Sequence, residues 1–170
     1  MRRQGGWAAM AAALALAMSV SETSQAREVV PFDPNAPAGT IVVRTGERRL
    51  YYVVGSGVAI RYPVAVGKPG KQWFGWVAVD GKHVTPAWSP PAEVKRDNPR
   101  LPDVVPGGSP RNPMGAAALT LNRGEYAIHG TNRPGSIGTF ASYGCIRMHN
   151  HDILDLFERV RVGTPVVVMR

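Results

Sequence analysis

The sequence predicts a mainly β protein carrying one helix near its C-terminus. Three observations lead there. Glycine (19) and proline (15) are abundant in 170 residues, which favours strands joined by many turns over a helical bundle. Runs of β-branched and aromatic residues recur between glycine turns, the pattern of an antiparallel meander. Only one segment spaces its apolar residues as a helix does.

The elements follow in order. Residues 27–39 hold Pro31, Pro34 and Pro37 and read as an extended leader. Ile41–Val43 is the first strand, Gly46–Glu47 a turn, and Arg48–Val54 (RRLYYVV) the second strand. Gly55-Ser56-Gly57 turns the chain into a third strand over Val58–Val66, and Trp73–Val79 (WFGWVAV) is a fourth. Residues 86–115 hold eight of the fifteen prolines, together with Gly107-Gly108. Proline removes a ladder donor, so no central strand fits there. A long ordered loop of this kind reads as a lid, with Trp88 and Leu101 expected to pin it to the body. Ala116–Leu121 and Glu125–His129 are two strands around an Asn122-Arg123-Gly124 turn, and Thr131–Met148 is a glycine-punctuated loop. The helix is expected over Asp152–Val160: Ile153, Leu156, Phe157 and Val160 follow i, i+3, i+4, i+7 spacing. Asn150 or Asp152 is expected to cap its start and Gly163 to end it. Pro165–Met169 is the last strand, and residues 40–170 form a single domain.

The first 26 residues read as an export signal. Arg2 and Arg3 form a positive start, Trp7–Val20 is an uncharged run rich in Ala, Leu and Met, and Ser24-Gln25-Ala26 is a cleavage pattern. The apolar run is short for a permanent span, which needs ~20 residues, so no stable membrane span is expected. The mature chain is therefore placed outside the cytoplasm, in the periplasm or cell wall. Net charge is +8, with basic residues gathered only in pairs such as Arg48-Arg49 and Lys95-Arg96. A basic balance suits anionic partners. No nucleic-acid motif accompanies it, so nucleic acid is excluded as a partner.

One cysteine, Cys145, remains in a setting that permits disulfides. It cannot pair within the chain, which points to intermolecular pairing or a reactive thiol. A catalytic cysteine needs a basic neighbour and donors for the oxyanion formed on attack. His129 ends a strand sixteen positions upstream, across a loop that can fold back. Gly144 allows a sharp backbone turn that aims successive N–H groups at one point. Two other readings stand beside this one. Cys145 can be a small buried hydrophobe. Cys145, His149 and His151 also give a C-x3-H-x-H spacing, which matches no standard zinc finger and lacks a second cysteine.

The ordered set His129-Gly130-Thr131, Ser136-Ile137-Gly138, Ser142-Tyr143-Gly144-Cys145-Ile146-Arg147-Met148, Asp152 and Gly163-Thr164-Pro165-Val166 resembles the L,D-transpeptidase catalytic domain family (YkuD/ErfK type). The resemblance extends more loosely back to Ile41, through Leu50-Tyr51, Tyr62-Pro63-Val64, Pro86-Ala87-Trp88 and Asn112-Pro113-Met114-Gly115. It implies a β-sheet fold with the nucleophile on the floor of an active-site cleft, and action on peptidoglycan stem peptides. It makes Cys145 the nucleophile and His129 the general base and acid. The carbonyl of Gly130 would orient the imidazole, and the amides of Tyr143, Gly144 and Cys145 would hold the oxyanion. Arg147 would clamp a substrate carboxylate, with Ser142 and Thr131 as further substrate-binding residues. No metal or organic cofactor is implied. Many members carry a histidine where this chain has Tyr143, whose phenol donates a hydrogen bond but is no base near neutral pH.

The implied reaction is transfer of a stem acyl group, through a cysteine thioester, to an amine on a second stem or on an envelope protein. Two alternatives use the same features. Water in place of the amine gives an L,D-carboxypeptidase or a cross-link or anchor hydrolase. A fold that has lost activity gives a cell-wall-binding module.

Overall fold

The computed structural model describes residues 27–170; the expected export signal, residues 1–26, lies outside them. The β-branched runs pair into one nine-stranded sheet. Its first half is built from β1 (Glu28–Pro31), β2 (Ile41–Arg44), β3 (Arg49–Gly55) and β4 (Val58–Pro63). Its second half holds β6 (Gly75–Val84), β7 (Ala117–Leu121), β8 (Ala127–His129) and β10 (Ile146–Arg147). The last strand, β11 (Pro165–Met169), joins the halves, giving the order β1-β4-β3-β2-β11-β6-β7-β8-β10. A short parallel pair, β5 (Val66–Gly67) with β9 (Phe140–Ser142), stands apart. The fold is mainly β, as the turn-rich composition predicts.

Alternation sets which face is buried. On β11, Val166 and Val168 enter the main core with Ile41, Val43, Leu50, Leu119 and Ile128. Helix α2 (Asn150–Arg159) lays Ile153 and Leu156 onto that core, and packs against β7 and β8. Each such fully buried aliphatic side chain stabilises the fold by about 1.5–3 kcal/mol. The opposite face is covered only in part. Val42, Tyr51, Val53 and Ala59 form a second, smaller cluster under Val30, Phe32 and Ala36.

Several elements differ from the sequence expectation. The leader is not free of the sheet: β1 pairs antiparallel with β4 and closes its edge. The third strand breaks after Pro63, and Ala65 instead bridges Arg147 in both directions. The fourth strand starts two residues later and runs on to Val84, because β7 supplies partners for Gly81–Val84. The helix starts at Asn150, not Asp152, and ends at Arg159. Neither expected cap acts as one. His149 occupies the N-cap position without a side-chain bond, and Gly163 lies beyond the helix, in the turn into β11. Lys82 reaches from β6 to the carbonyls of Phe157 (2.6 Å) and Val160 (2.7 Å) and so satisfies the helix end.

The proline-rich segment contains a helix that the sequence did not reveal, α1 (Ala92–Asp97). At its base Trp88 and Val105 bond each other in both directions, at 2.9 and 2.8 Å. Asn112 Nδ2 donates to the carbonyls of Pro86 and Pro106, at 2.8 and 3.0 Å. Through its backbone, Trp88 thus ties the segment to itself.

Candidate active site

The short parallel pairing of β10 with β8 places the chemistry. Its register sets Ile146 against Ile128 and Arg147 against His129. Side chains two apart in a strand share a face. His129 and Arg147 thus lie side by side, and Cys145, one step before β10, follows on the same face. All three line one cavity of about 1170 Å³. Its opposite wall comes from the lid segment, including Trp88, Glu93, Val94, Asp97 and Leu101.

The turn carrying the nucleophile is fixed from several sides. Gly144 adopts φ +128°, and a Cβ there would overlap the Tyr126 ring. That ring cannot retreat, because it stacks on Trp73 at 5.4 Å and 3°. Trp73 Nε1 donates to the Gly144 carbonyl at 2.9 Å, and Ser142 Oγ donates to the Cys145 carbonyl at 2.5 Å. The Gly144 amide donates to Ser142 Oγ at 3.1 Å.

The imidazole is 3% exposed, with Nδ1 2.7 Å from the Gly130 carbonyl. That contact makes Nδ1 the protonated nitrogen and leaves Nε2 as a base. Burial, reinforced by the neighbouring Arg147 charge, lowers its pKa to about 4. Burial pushes the Cys145 thiol up, against the opposing pull of a backbone hydrogen bond with Ala127 and the Arg147 charge. The thiol donates to the Glu125 carbonyl, with Sγ 3.9 Å from the oxygen. At rest, the thiol and the imidazole that line this cavity are therefore both neutral. Arg147 is itself partly buried, and no carboxylate lies within ion-pair distance of it among the described residues.

Residues 38–168 match the L,D-transpeptidase catalytic domain family, YkuD. The chain belongs to the L,D-transpeptidase catalytic domain family. The probable L,D-transpeptidase YbiS of Escherichia coli K12 is 44% identical over 133 residues, covering 74% of this chain and 43% of the relative. The putative L,D-transpeptidase YkuD of Bacillus subtilis is 36% identical over 138 residues, covering 81% and 70%. The chain thus spans less than half the length of relatives such as YbiS. Among solved structures, an L,D-transpeptidase from Mycobacterium smegmatis superposes with TM-score 0.62 at 19% identity, over 77% of this chain and 58% of that one. An Enterococcus faecium L,D-transpeptidase, solved as a cysteine-to-serine mutant, gives TM-score 0.62 at 19% identity, over 78% and 50%. At such identity these two likenesses speak to fold alone.

Within this L,D-transpeptidase domain, the residues expected at the site divide into two groups. Cys145, His129, Arg147 and Tyr143 face the cavity, and Gly130 and Gly144 hold the backbone turns beside them. Of the two expected substrate-binding residues, Ser142 lines the cavity and Thr131 does not. Thr131 is 3% exposed and absent from the cavity wall; its Oγ1 accepts from the Arg133 amide at 3.0 Å. Ser142 is 1% exposed, with its hydroxyl committed to the Gly144 and Cys145 backbone. That same bond occupies the Gly144 amide expected in the oxyanion hole. The zinc spacing does not assemble: His149 and His151 stack on each other at 5.3 Å and neither lines the cleft. Among the described residues no group of His, Cys, Asp and Glu is placed to hold a metal.

Asn150 and Asp97 are the residues that sequence reasoning missed. Asn150 Oδ1 accepts from the amides of Ala116 (3.1 Å) and Thr131 (2.9 Å), joining β7, the loop after His129 and α2. Gly130 must lack a Cβ for this carbonyl to fit. The only sequence signal was a polar residue at a helix start, which reads as a cap.

Proposed function

We propose that this domain is an exported peptidoglycan L,D-transpeptidase acting through a Cys145 thioester. One observation carries the reading: a thiol, a buried neutral imidazole and an unpaired guanidinium share one face of the β8–β10 ladder, inside a single cleft. As Cys145 attacks the carbonyl of the third stem residue, Nε2 of His129 takes the thiol proton. A C–S bond forms and the C–N bond to D-alanine breaks; His129 returns the proton to the leaving amine. An amine from a second stem or an envelope protein then attacks the thioester. His129 accepts its proton and gives it to the departing sulfur. The amides of Tyr143 and Cys145 serve the oxyanion, since Gly144 is engaged with Ser142. Arg147 receives a stem carboxylate, the anion its surroundings lack.

Burial, with the Arg147 charge added to it, keeps His129 unprotonated near neutral pH, so the base is ready before substrate arrives. The test incubates the protein with purified tetrapeptide muropeptide and weighs the products. Cross-linked dimers with loss of D-alanine are expected, together with a carbapenem adduct that disappears in Cys145→Ala. Tripeptide monomers alone would assign a carboxypeptidase. An adduct persisting in the Ala variant would remove Cys145 from the mechanism.

A further inference from the structure

Helix α1 buries none of its own residues. A helix with no buried residue of its own stays in place through side-chain ties. Besides the longer Lys68–Asp97 approach, two such ties join α1 to the body. Lys71 pairs with Glu93. Tyr143 Oη donates to Asp97 Oδ2 at 2.6 Å. The second comes from the loop that carries the nucleophile, two residues before Cys145. It is braced by Lys68, whose Nζ stands 3.7 Å from the Tyr143 ring centre and 3.9 Å from Asp97 Oδ2. Lys68 is in turn fixed by its backbone, its amide donating to the Ser142 carbonyl at 2.9 Å.

We propose that the Tyr143 side chain is a positioning residue that latches α1 over Cys145 through Asp97. A hydrogen bond to a carboxylate is among the stronger neutral-donor contacts. The cation over the ring adds to it, and the tyrosine bond together with the Lys68 charge holds Asp97 ionised. The nucleophile loop thereby secures its own cover. Closing the cleft matters most at the thioester, where water competes with the amine, and here the proposal rests on the function argued above. Tyr143 thus governs access, and it leaves proton transfer to His129.

The test exploits the single thiol in the sequence. Iodoacetamide alkylation of Cys145 at pH 9, followed by intact mass, reads how often the lid opens, whichever acyl acceptor the enzyme uses. Tyr143→Phe and Asp97→Asn are expected to react roughly tenfold faster, the factor that loss of one charge-assisted hydrogen bond gives. The double variant should react no faster than the faster single one, because both remove the same bond. Asp103→Asn, at an exposed lid carboxylate paired only with Lys95, should match the parent rate. Parent-like rates in both single variants, multiplying effects in the double variant, or equal acceleration in Asp103→Asn would overturn the latch. In turnover with stem peptide, Asp97→Asn should shift products from cross-link toward hydrolysis. An unchanged ratio would overturn the water-excluding role. A parent enzyme that forms no acyl adduct would count against the proposed function and leave the alkylation result to decide the latch.

Discussion

Arg147 and His129 are register partners across the β8–β10 ladder, so a guanidinium lies beside a buried imidazole. Burial and this charge oppose protonation in the folded state and vanish on unfolding. His129 takes up a proton near pH 6.5 when unfolded but only at about pH 4 when folded. Between these values the unfolded chain binds the extra proton, so its contribution to stability falls as pH falls. The loss amounts to about 3 kcal/mol by pH 4. Urea denaturation of the parent and His129→Gln, at pH 7 and pH 4.5, should show a steeper decline in the parent. Parallel declines would contradict the assignment.

Cys145 should alkylate as an unactivated thiol. Burial raises its pKa, so the thiolate fraction climbs with pH without early saturation. The logarithm of the iodoacetamide rate should increase by about one per pH unit from pH 7 to 9. A plateau below pH 8 would reveal a preformed thiolate–imidazolium pair instead.

Gly144→Ala forces a methyl into the Tyr126 ring at a φ that disfavours side chains. The Trp73–Tyr126 stack blocks relief. A loss of about 2–4 kcal/mol is expected from overpacking and backbone strain together. Carbapenem acylation should fall by more than tenfold, read by intact mass. Normal acylation in a well-folded Ala variant would show that the turn geometry is not needed.

Asn150→Ala leaves the amides of Ala116 and Thr131 without an acceptor. The expected cost is about 2–3 kcal/mol in urea denaturation. Asn150→Asp keeps the acceptor and should recover most of it. Equal losses in the two variants would mean that the hydrogen bonds are not what Asn150 supplies.

The strands were legible because apolar alternation and glycine turns act locally: β2, β3, β7 and β11 lie within two residues of their expected bounds. The motif around Cys145 was legible through its resemblance to the L,D-transpeptidase catalytic domain family. Tertiary pairing decided the rest. β6 extends to Val84 only because β7 meets it there, and Ala65 leaves its strand to bridge Arg147. Helix α1 was hidden because it is short, flanked by prolines and has no apolar face to display a period. The roles of Ser142 and Asn150 depend on backbone groups that turns bring near, and sequence spacing does not encode those encounters. Asp97 meets Tyr143 across 46 residues, beyond the range of any local pattern.

Strand β10 is only two residues long, tied by β8 on one side and by Ala65 on the other. Reactivity consequently hangs on one of the shortest rungs of the sheet, held by its neighbours and by the buried Ile146 and Met148 that flank it. Loss of the Ala65 or Ile128 contact should therefore cost reactivity and core packing together.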